Sequence, residues 1–244
     1  MNSDVQVPPP AMPLTTTPGS AATVVLLRDG ELGVEVLLAE RPHDRGSFAG
    51  AWVFPGGAVD PDDVAGAPGG PGDEDAVRRA AVRETREEVG LALDPGELVP
   101  FSRWTPPEGA PKPLVTTFFA LRVPDGELRP APDEVVALEW IRPCDALARH
   151  ARGQMILWPP TWVTLHGLAR AESVDTALAE LRAGTVRPYR SRFIDGRRTI
   201  VWEEDAAYLD AAAEGVPVGP PDGGGAGRHR LLMDGLPWRY QVSP

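Results

Sequence analysis

Arg83-Glu84-Thr85-Arg86-Glu87-Glu88-Val89-Gly90 is the stretch on which the reading of this chain turns. It closes a predicted helix over Asp73–Val89. Asp73-Glu74-Asp75 places acids at the positive end of the helix dipole, and Gly90 is the residue type that follows a helix end. Val77, Ala80, Ala81 and Val89 mark the buried side. Glu84 stands at i, i+3 to Glu87 and at i, i+4 to Glu88, so it neighbours both on one helix face. Like charges at that spacing repel and weaken an isolated helix. A hard divalent cation with oxygen ligands would turn the repulsion into binding. By spacing alone, a metal site and a solvated acidic face remain equally good readings.

The chain before the helix favours the metal. Ala22 to Arg28 and Val34 to Ala39 are β-branched and aliphatic runs separated by Asp29-Gly30, which predicts a hairpin with a loop longer than two residues. Trp52-Val53-Phe54 reads as a short strand stopped by Pro55-Gly56-Gly57, where glycines let backbone groups approach a phosphate or metal closely. Asp60 to Gly72, rich in Pro, Gly, Ala and Asp, reads as a surface loop. A strand, a glycine pair, a loop and an acidic helix form an arrangement for holding a metal–phosphate complex. Beyond the helix, strands are predicted near Leu98–Trp104, Val115–Val123 and Val135–Ile141, and helices near Cys144–Arg152, Pro160–Ala171 and Val174–Ala183. Two hairpin-like units, Arg192–Trp202 and His229–Val242, follow, joined by a loose linker from Pro217 to Gly227. The expected organisation is a tail over residues 1–20, a main domain over 21–184 and a β-hairpin extension over 185–244.

Arg83-Glu84-Thr85-Arg86-Glu87-Glu88-Val89-Gly90-Leu91 resembles the second half of the Nudix hydrolase signature, with Thr85 where an aliphatic residue is usual. Phe54-Pro55-Gly56-Gly57 looks like the strand end that opens the signature. The first half departs from the pattern: Gly57 lies about a dozen residues too far from Arg83, and the first glutamate is missing. Gly69 and Asp75 have the literal spacing, but Gly57 is the better structural counterpart. The resemblance implies an α/β fold, a Nudix-type α/β/α sandwich with a mixed β-sheet, over roughly Thr23 to Ala171. It implies Mg²⁺ or Mn²⁺ held by Glu84, Glu87 and Glu88, with the carbonyl of Gly56 as a further ligand. Arg83 and Gly57 would support the site. Family members recruit another carboxylate from a later loop, and Glu134 stands at the matching place as a general base or outer ligand. The catalytic set is then Glu84, Glu87 and Glu134, with the choice of base left open. The implied activity is hydrolysis of the pyrophosphate bond of a nucleoside diphosphate linked to another group. Leu37-Leu38, Arg41, Phe48-x-Gly50 and Trp104-Thr105-Pro106 look like the coenzyme A and acyl-CoA branch, although Pro42-His43-Asp44-Arg45 does not reproduce its full motif.

Composition bounds the alternatives. The formal charge of −11 argues against a nucleic-acid coat, which would show a basic stripe. Cys144 is the only cysteine, so no intrachain disulfide can form, and the expected compartment is the cytoplasm. No apolar run is long enough for a membrane span. Gly219 to Gly227 lacks the Lys-Ser/Thr of a phosphate loop. His43, His150, His166 and His229 show no short ligand spacing, and Ser173, Ser191 and Ser243 lack a nucleophile elbow. Trp104 and Phe119 are candidates for stacking on an adenine. A rival reading is a nucleotide-sensing module of the same fold that binds without hydrolysis, and the extension is a candidate surface for homodimer formation.

Overall fold

The computed structural model of the protein describes residues 18–44, 48–110, 113–209 and 227–243. Residues 1–17 of the tail read over 1–20, and residues 217–226 of the linker read over 217–227, lie outside the described residues; Gly19 and Ser20 belong to the first strand. In chain order the elements are β1 (Gly19–Gly30), β2 (Gly33–Glu40), β3 (Trp52–Val53), β4 (Gly56–Ala58), α1 (Pro61–Val64), α2 (Glu74–Val89), β5 (Val99–Thr105), β6 (Leu114–Arg122), β7 (Ala137–Ile141), α3 (Pro143–Ala151), α4 (Pro159–Leu168), α5 (Val174–Ala183), β8 (Arg187–Arg190), β9 (Arg192–Ile194), β10 (Thr199–Val201), β11 (Arg228–Leu232) and β12 (Arg239–Ser243).

The main sheet runs β3-β2-β1-β6-β5-β8, with β4 also paired to β1 and β7 to β2. It is mixed: β1 with β6 and β5 with β8 are parallel, and the other pairs are antiparallel. A smaller antiparallel sheet runs β12-β11-β10-β9. β1 is buried on both faces, and its period of two divides the core. Val24 and Leu26 pack with Val77, Ala80 and Ala81 of α2. Val25 and Leu27 face Trp162, Leu165, Val174 and Leu178 of α4 and α5, and Trp202 and Leu231 from beyond them belong to the same cluster. Helices therefore cover both faces of a mixed sheet, the expected sandwich.

Several local expectations change. The β1–β2 hairpin closes more tightly than its sequence suggests. Asp29 and Gly30 continue the strand to a Gly30↔Gly33 pairing, leaving Glu31-Leu32 as a two-residue turn. Gly33, with φ of 118°, supplies the backbone conformation that follows the turn. Gly56-Gly57 does more than stop a strand, since both residues pair with β1 as part of β4. The stretch from Asp60 to Gly72 contains α1 and a single 3₁₀ turn over Gly70–Gly72, in place of irregular loop throughout. β8, from the segment after Gly184, pairs with β5 in the main sheet at Ser102↔Arg187 through Thr105↔Arg190.

Candidate functional site

Local signals fix the two ends of α2. The Asp73 carboxylate accepts the Asp75 N–H at 3.0 Å, and Gly90 takes the left-handed conformation (φ 81°) while its N–H bonds Arg86 O. The buried Thr85 occupies a position where an aliphatic side chain would need no partner, and its hydroxyl is satisfied by donating to Ala81 O at 2.8 Å. The acids lie along the face turned to β4.

Glu88 is the deepest of them, at 4% exposure. Its Oε2 accepts the Gly56 N–H at 2.9 Å, and Arg41 of the segment after β2 brings NH1 to 3.6 Å from Oε1. Burial raises its carboxyl to about 7, against the pull of the Gly56 amide and Arg41. Burial likewise raises Glu84, against the hydrogen bond from Arg83. Glu87 is 56% exposed at its side chain and meets Arg83 NH1 at 2.9 Å, the same nitrogen that donates to Glu84 Oε1 at 2.9 Å.

The glycine pair is required sterically at both positions. A Cβ at Gly56 would lie 2.2 Å from Ala22 O, and its φ of 151° disfavours side chains. A Cβ at Gly57 would lie 2.3 Å from the carboxyl carbon of Glu84. The second glycine therefore leaves room for a carboxylate, where the sequence suggested only close approach of backbone.

Arg83 is held from three sides. Besides the two glutamates, its NH2 donates to Ala58 O at 2.9 Å and to Asp63 Oδ2 at 2.8 Å. Asp63 is itself buried, and burial would raise its carboxyl. The Arg83 hydrogen bonds and the Asp60 N–H prevail and lower it. Asp63 supports the site, and sequence reading assigned it to a loop. An Asp-Pro start at Asp60-Pro61 with an acid at Asp63 was the available signal for a helix turn there.

Glu134 is brought to the same place by backbone. Ala131 N–H donates to Glu88 O at 2.9 Å, and Glu134 N–H donates to Ala131 O at 3.0 Å. Its exposed carboxylate lies near enough to raise both Glu84 and Glu88 electrostatically. The structure thus assembles Glu84, Glu88, Glu134, Gly56, Gly57 and Arg83 at one site, with Glu87 on its exposed rim. Among the described residues no three carboxylate, imidazole or thiolate groups already converge as a ligand set, and Arg83 bridges Glu84 and Glu87 in this arrangement. The donors nonetheless fit a hard divalent cation: all are oxygens, and the negative charge of Glu84 and Glu88 is desolvated. Trp104 and Phe119 do not reach the site as stacking groups. Both are buried, Trp104 stacked on Tyr189 at 3.9 Å and Phe119 against the inner side of α2.

Known proteins share this architecture. The NUDIX domain family model matches residues 17–159, which is more than half of the chain. The CTP pyrophosphohydrolase of Escherichia coli (strain K12) is 34% identical over 123 residues, spanning 50% of this chain and 75% of that protein. The crystal structure of a NUDIX hydrolase from Alicyclobacillus acidocaldarius superposes with a TM-score of 0.59 at 26% identity, over 70% of this chain and 100% of that one. Both the glycine-backed acidic helix and these likenesses lead to one conclusion: the chain belongs to the Nudix family, and is a pyrophosphohydrolase of that type.

Proposed function

We propose that the protein hydrolyses the pyrophosphate bond of a nucleoside diphosphate linked to a further group, with Mg²⁺ or Mn²⁺ held by Glu84, Glu87, Glu88 and the carbonyl of Gly56. The observation that carries this reading is the buried Glu88, fixed on the Gly56 amide beside a second desolvated carboxylate, Glu84. Two such charges, with Arg83 shared among Glu84, Glu87 and Asp63 and Arg41 3.6 Å from Glu88, are costly in a fold that needs only packing there. A bound divalent cation supplies charge neutralisation at the phosphate oxygens and a lowered pKa for attacking water.

The chain's own groups divide the remaining work. Glu84 and Glu88 hold their oxygens in place through the Gly57 gap and the Gly56 N–H. Arg83, anchored by Asp63 and Ala58 O, orients Glu84 and Glu87. Glu87, exposed at the rim and paired with Arg83, would have to release that arginine and turn inward to join Glu84 and Glu88. Glu134 stands in solvent beside the two buried acids and takes the proton of the attacking water at its carboxylate. The relative active on CTP supports a nucleoside triphosphate as the first substrate to try. The upstream Leu37-Leu38, Arg41 and Phe48-x-Gly50 pattern supports a coenzyme A ester as the second.

The test is a substrate panel of CTP and other nucleoside triphosphates, coenzyme A, an acyl-CoA, ADP-ribose, NADH and a diadenosine polyphosphate. Products are read by mass spectrometry with Mg²⁺ and then Mn²⁺, beside Glu87→Gln and Glu88→Gln. Cleavage by the wild type alone is expected. Binding of nucleotides without cleavage under either metal would replace the hydrolase reading with that of a nucleotide sensor.

A further inference from the structure

A second feature borders the site and plays no part in holding acids or metal. Phe48 is 49% exposed, Trp158 44% and Ile156 53%, and they form one apolar patch on the surface. Phe48 and Trp158 meet edge to face with ring centroids 4.6 Å apart. Ile156 is tied in by its bridge to Ala51 and by its carbonyl, which accepts the Trp52 N–H at 2.9 Å. Large apolar groups gathered at the surface signify a binding function more often than scattered ones do.

Phe48 is also conformationally unusual. Its φ is 62°, in the left-handed region that bulky side chains avoid. Strained residues persist where surrounding structure holds them, and they cluster at functional sites. Here the holding contacts are visible: Ala51 N–H donates to Phe48 O at 3.0 Å, Gly50 N–H to Pro42 O at 3.2 Å, and Arg41 N–H to Ala51 O at 3.0 Å. Those bonds press the aromatic residue against the end of β2 and leave its ring in solvent beside Trp158.

Arg41 connects the two regions. Its backbone carries the turn that presents Phe48, and its guanidinium reaches toward Glu88 with Nε buried and without a hydrogen-bond partner. Outward from the acids come the carboxylates, then the partly exposed guanidinium of Arg41, then an aromatic pair. A nucleotide has the complementary sequence of parts: a phosphate chain that meets a metal on the acids, a further phosphate or ribose oxygen for the cation, and a planar ring. We propose that Phe48 and Trp158 form a stacking platform for the nucleobase of the substrate, with the Arg41 guanidinium donating to the oxygen-rich link between base and metal-bound phosphates. This inference rests on the nucleotide reading of the site and adds the group that recognises the ring. Because stacking accepts any π-face, the platform predicts tolerance among bases.

The experiment compares full-length wild type, Phe48→Gly and Trp158→Ala. Calorimetric titrations use CTP, ATP and, as a probe without a ring, inorganic tripolyphosphate, with Ca²⁺ in place of Mg²⁺. Each substitution should weaken CTP and ATP by about tenfold and leave tripolyphosphate within about twofold, the scale of one lost base–aromatic contact. Phe48→Gly should melt no lower than wild type, because glycine accepts the left-handed backbone. That pairing separates a binding role from a structural one. Equal weakening of all three ligands, or no change in any, would overturn the proposal. So would a variant that converts a dimer to monomer with nucleotide affinity unchanged, which would make the patch a contact between copies. A wild type that binds rings through this pair yet cleaves nothing in the substrate panel would sink the hydrolase reading and leave the platform standing. A wild type that cleaves while both variants bind CTP and ATP normally would sink the platform alone.

Discussion

Two regions of this molecule bury charge, and they balance it in opposite ways. In the C-terminal sheet the buried Asp205 receives Arg230 Nε at 2.7 Å, the His229 N–H at 3.0 Å and the Ala207 N–H at 2.9 Å. His229 beside it is also closed: Nδ1 meets Glu204 at 2.6 Å and Nε2 meets the Tyr240 hydroxyl at 2.7 Å. Every one of these groups has a partner of matching chemistry. On α2 the balance is left negative. Glu88 has one amide and a cation 3.6 Å away, Glu84 shares Arg83 with Glu87 and Asp63, and Glu134 adds a further charge nearby. A network that neutralises itself holds a fold together. One that leaves charge unmatched is arranged for something that arrives from outside.

The widest separation between the regions should come from Glu88→Gln. The amide keeps the shape and can still accept the Gly56 N–H, so turnover should fall by about a hundredfold or more. Thermal stability of the metal-free protein should be unchanged or higher, because a desolvated charge has gone. A large loss of stability with turnover retained would break the comparison by making Glu88 structural.

Asp205→Ala should do the reverse. Removing one partner strands a buried guanidinium, at a cost of about 3–5 kcal/mol in denaturant unfolding. Turnover per folded molecule should stay within about twofold of wild type in the same preparation, since the removed bond belongs to the fold. Loss of turnover in molecules shown to be folded by circular dichroism would tie the C-terminal sheet to the chemistry.

Gly57→Ala should give a middle result. The new Cβ must displace the Glu84 carboxylate, so turnover should drop roughly tenfold to a hundredfold, the scale of a small misplacement at a reacting centre. The sheet should persist, because Gly57 has no positive φ and the obstacle is a side chain. Wild-type turnover in this variant would show that Glu84 has room to move without consequence.

The smallest effect is a pH slope. Burial lowers His229 below its ordinary value of 6.5 and outweighs the support of Glu204, and Arg187 lowers it further. A base depressed in the folded state binds fewer protons there than in the unfolded chain. The stability it supports is therefore present above 6.5 and is lost as pH falls toward the depressed value. Glu204, lowered because the His229 hydrogen bond overcomes burial, changes with the same sign at still lower pH. In a Glu84→Gln/Glu88→Gln variant, which removes the two raised carboxyls whose protonation would oppose this slope, denaturant midpoints should decline between pH 7 and pH 5. A midpoint that rises on acidification would mean that His229 charges comfortably inside the fold, and the contrast with α2 would lose its basis.

Much of the candidate site was legible because its signals are local. The acid cap at Asp73, the i, i+3 and i, i+4 glutamates and Gly90 each act within a helical turn, so α2 emerged within a residue of its observed bounds. Glu134 was placed by analogy, and the structure brings it near Glu84 and Glu88 through the backbone bonds of Ala131. Asp63 and Arg41 were not assigned roles, because their importance comes from partners far along the chain: Asp63 from Arg83, Arg41 from Glu88. Trp104 and Phe119 failed as stacking candidates for the same reason. An aromatic residue in a strand faces core or solvent by sheet register, which the packing of β5 against β8 and of β6 beneath α2 settles.

The sequence by itself determined the period of each element, the caps of α2, the spacing of its acids and the glycine pair before it, all properties carried by neighbouring residues. Tertiary structure alone decided which charges would be matched. Pairing depends on contacts between distant segments, such as Gly56 with Glu88 and Asp205 with Arg230, and on how much water each burial removes. Those two quantities exist only once the chain has folded, and they separate the acids whose charge is matched from the acids whose charge is not.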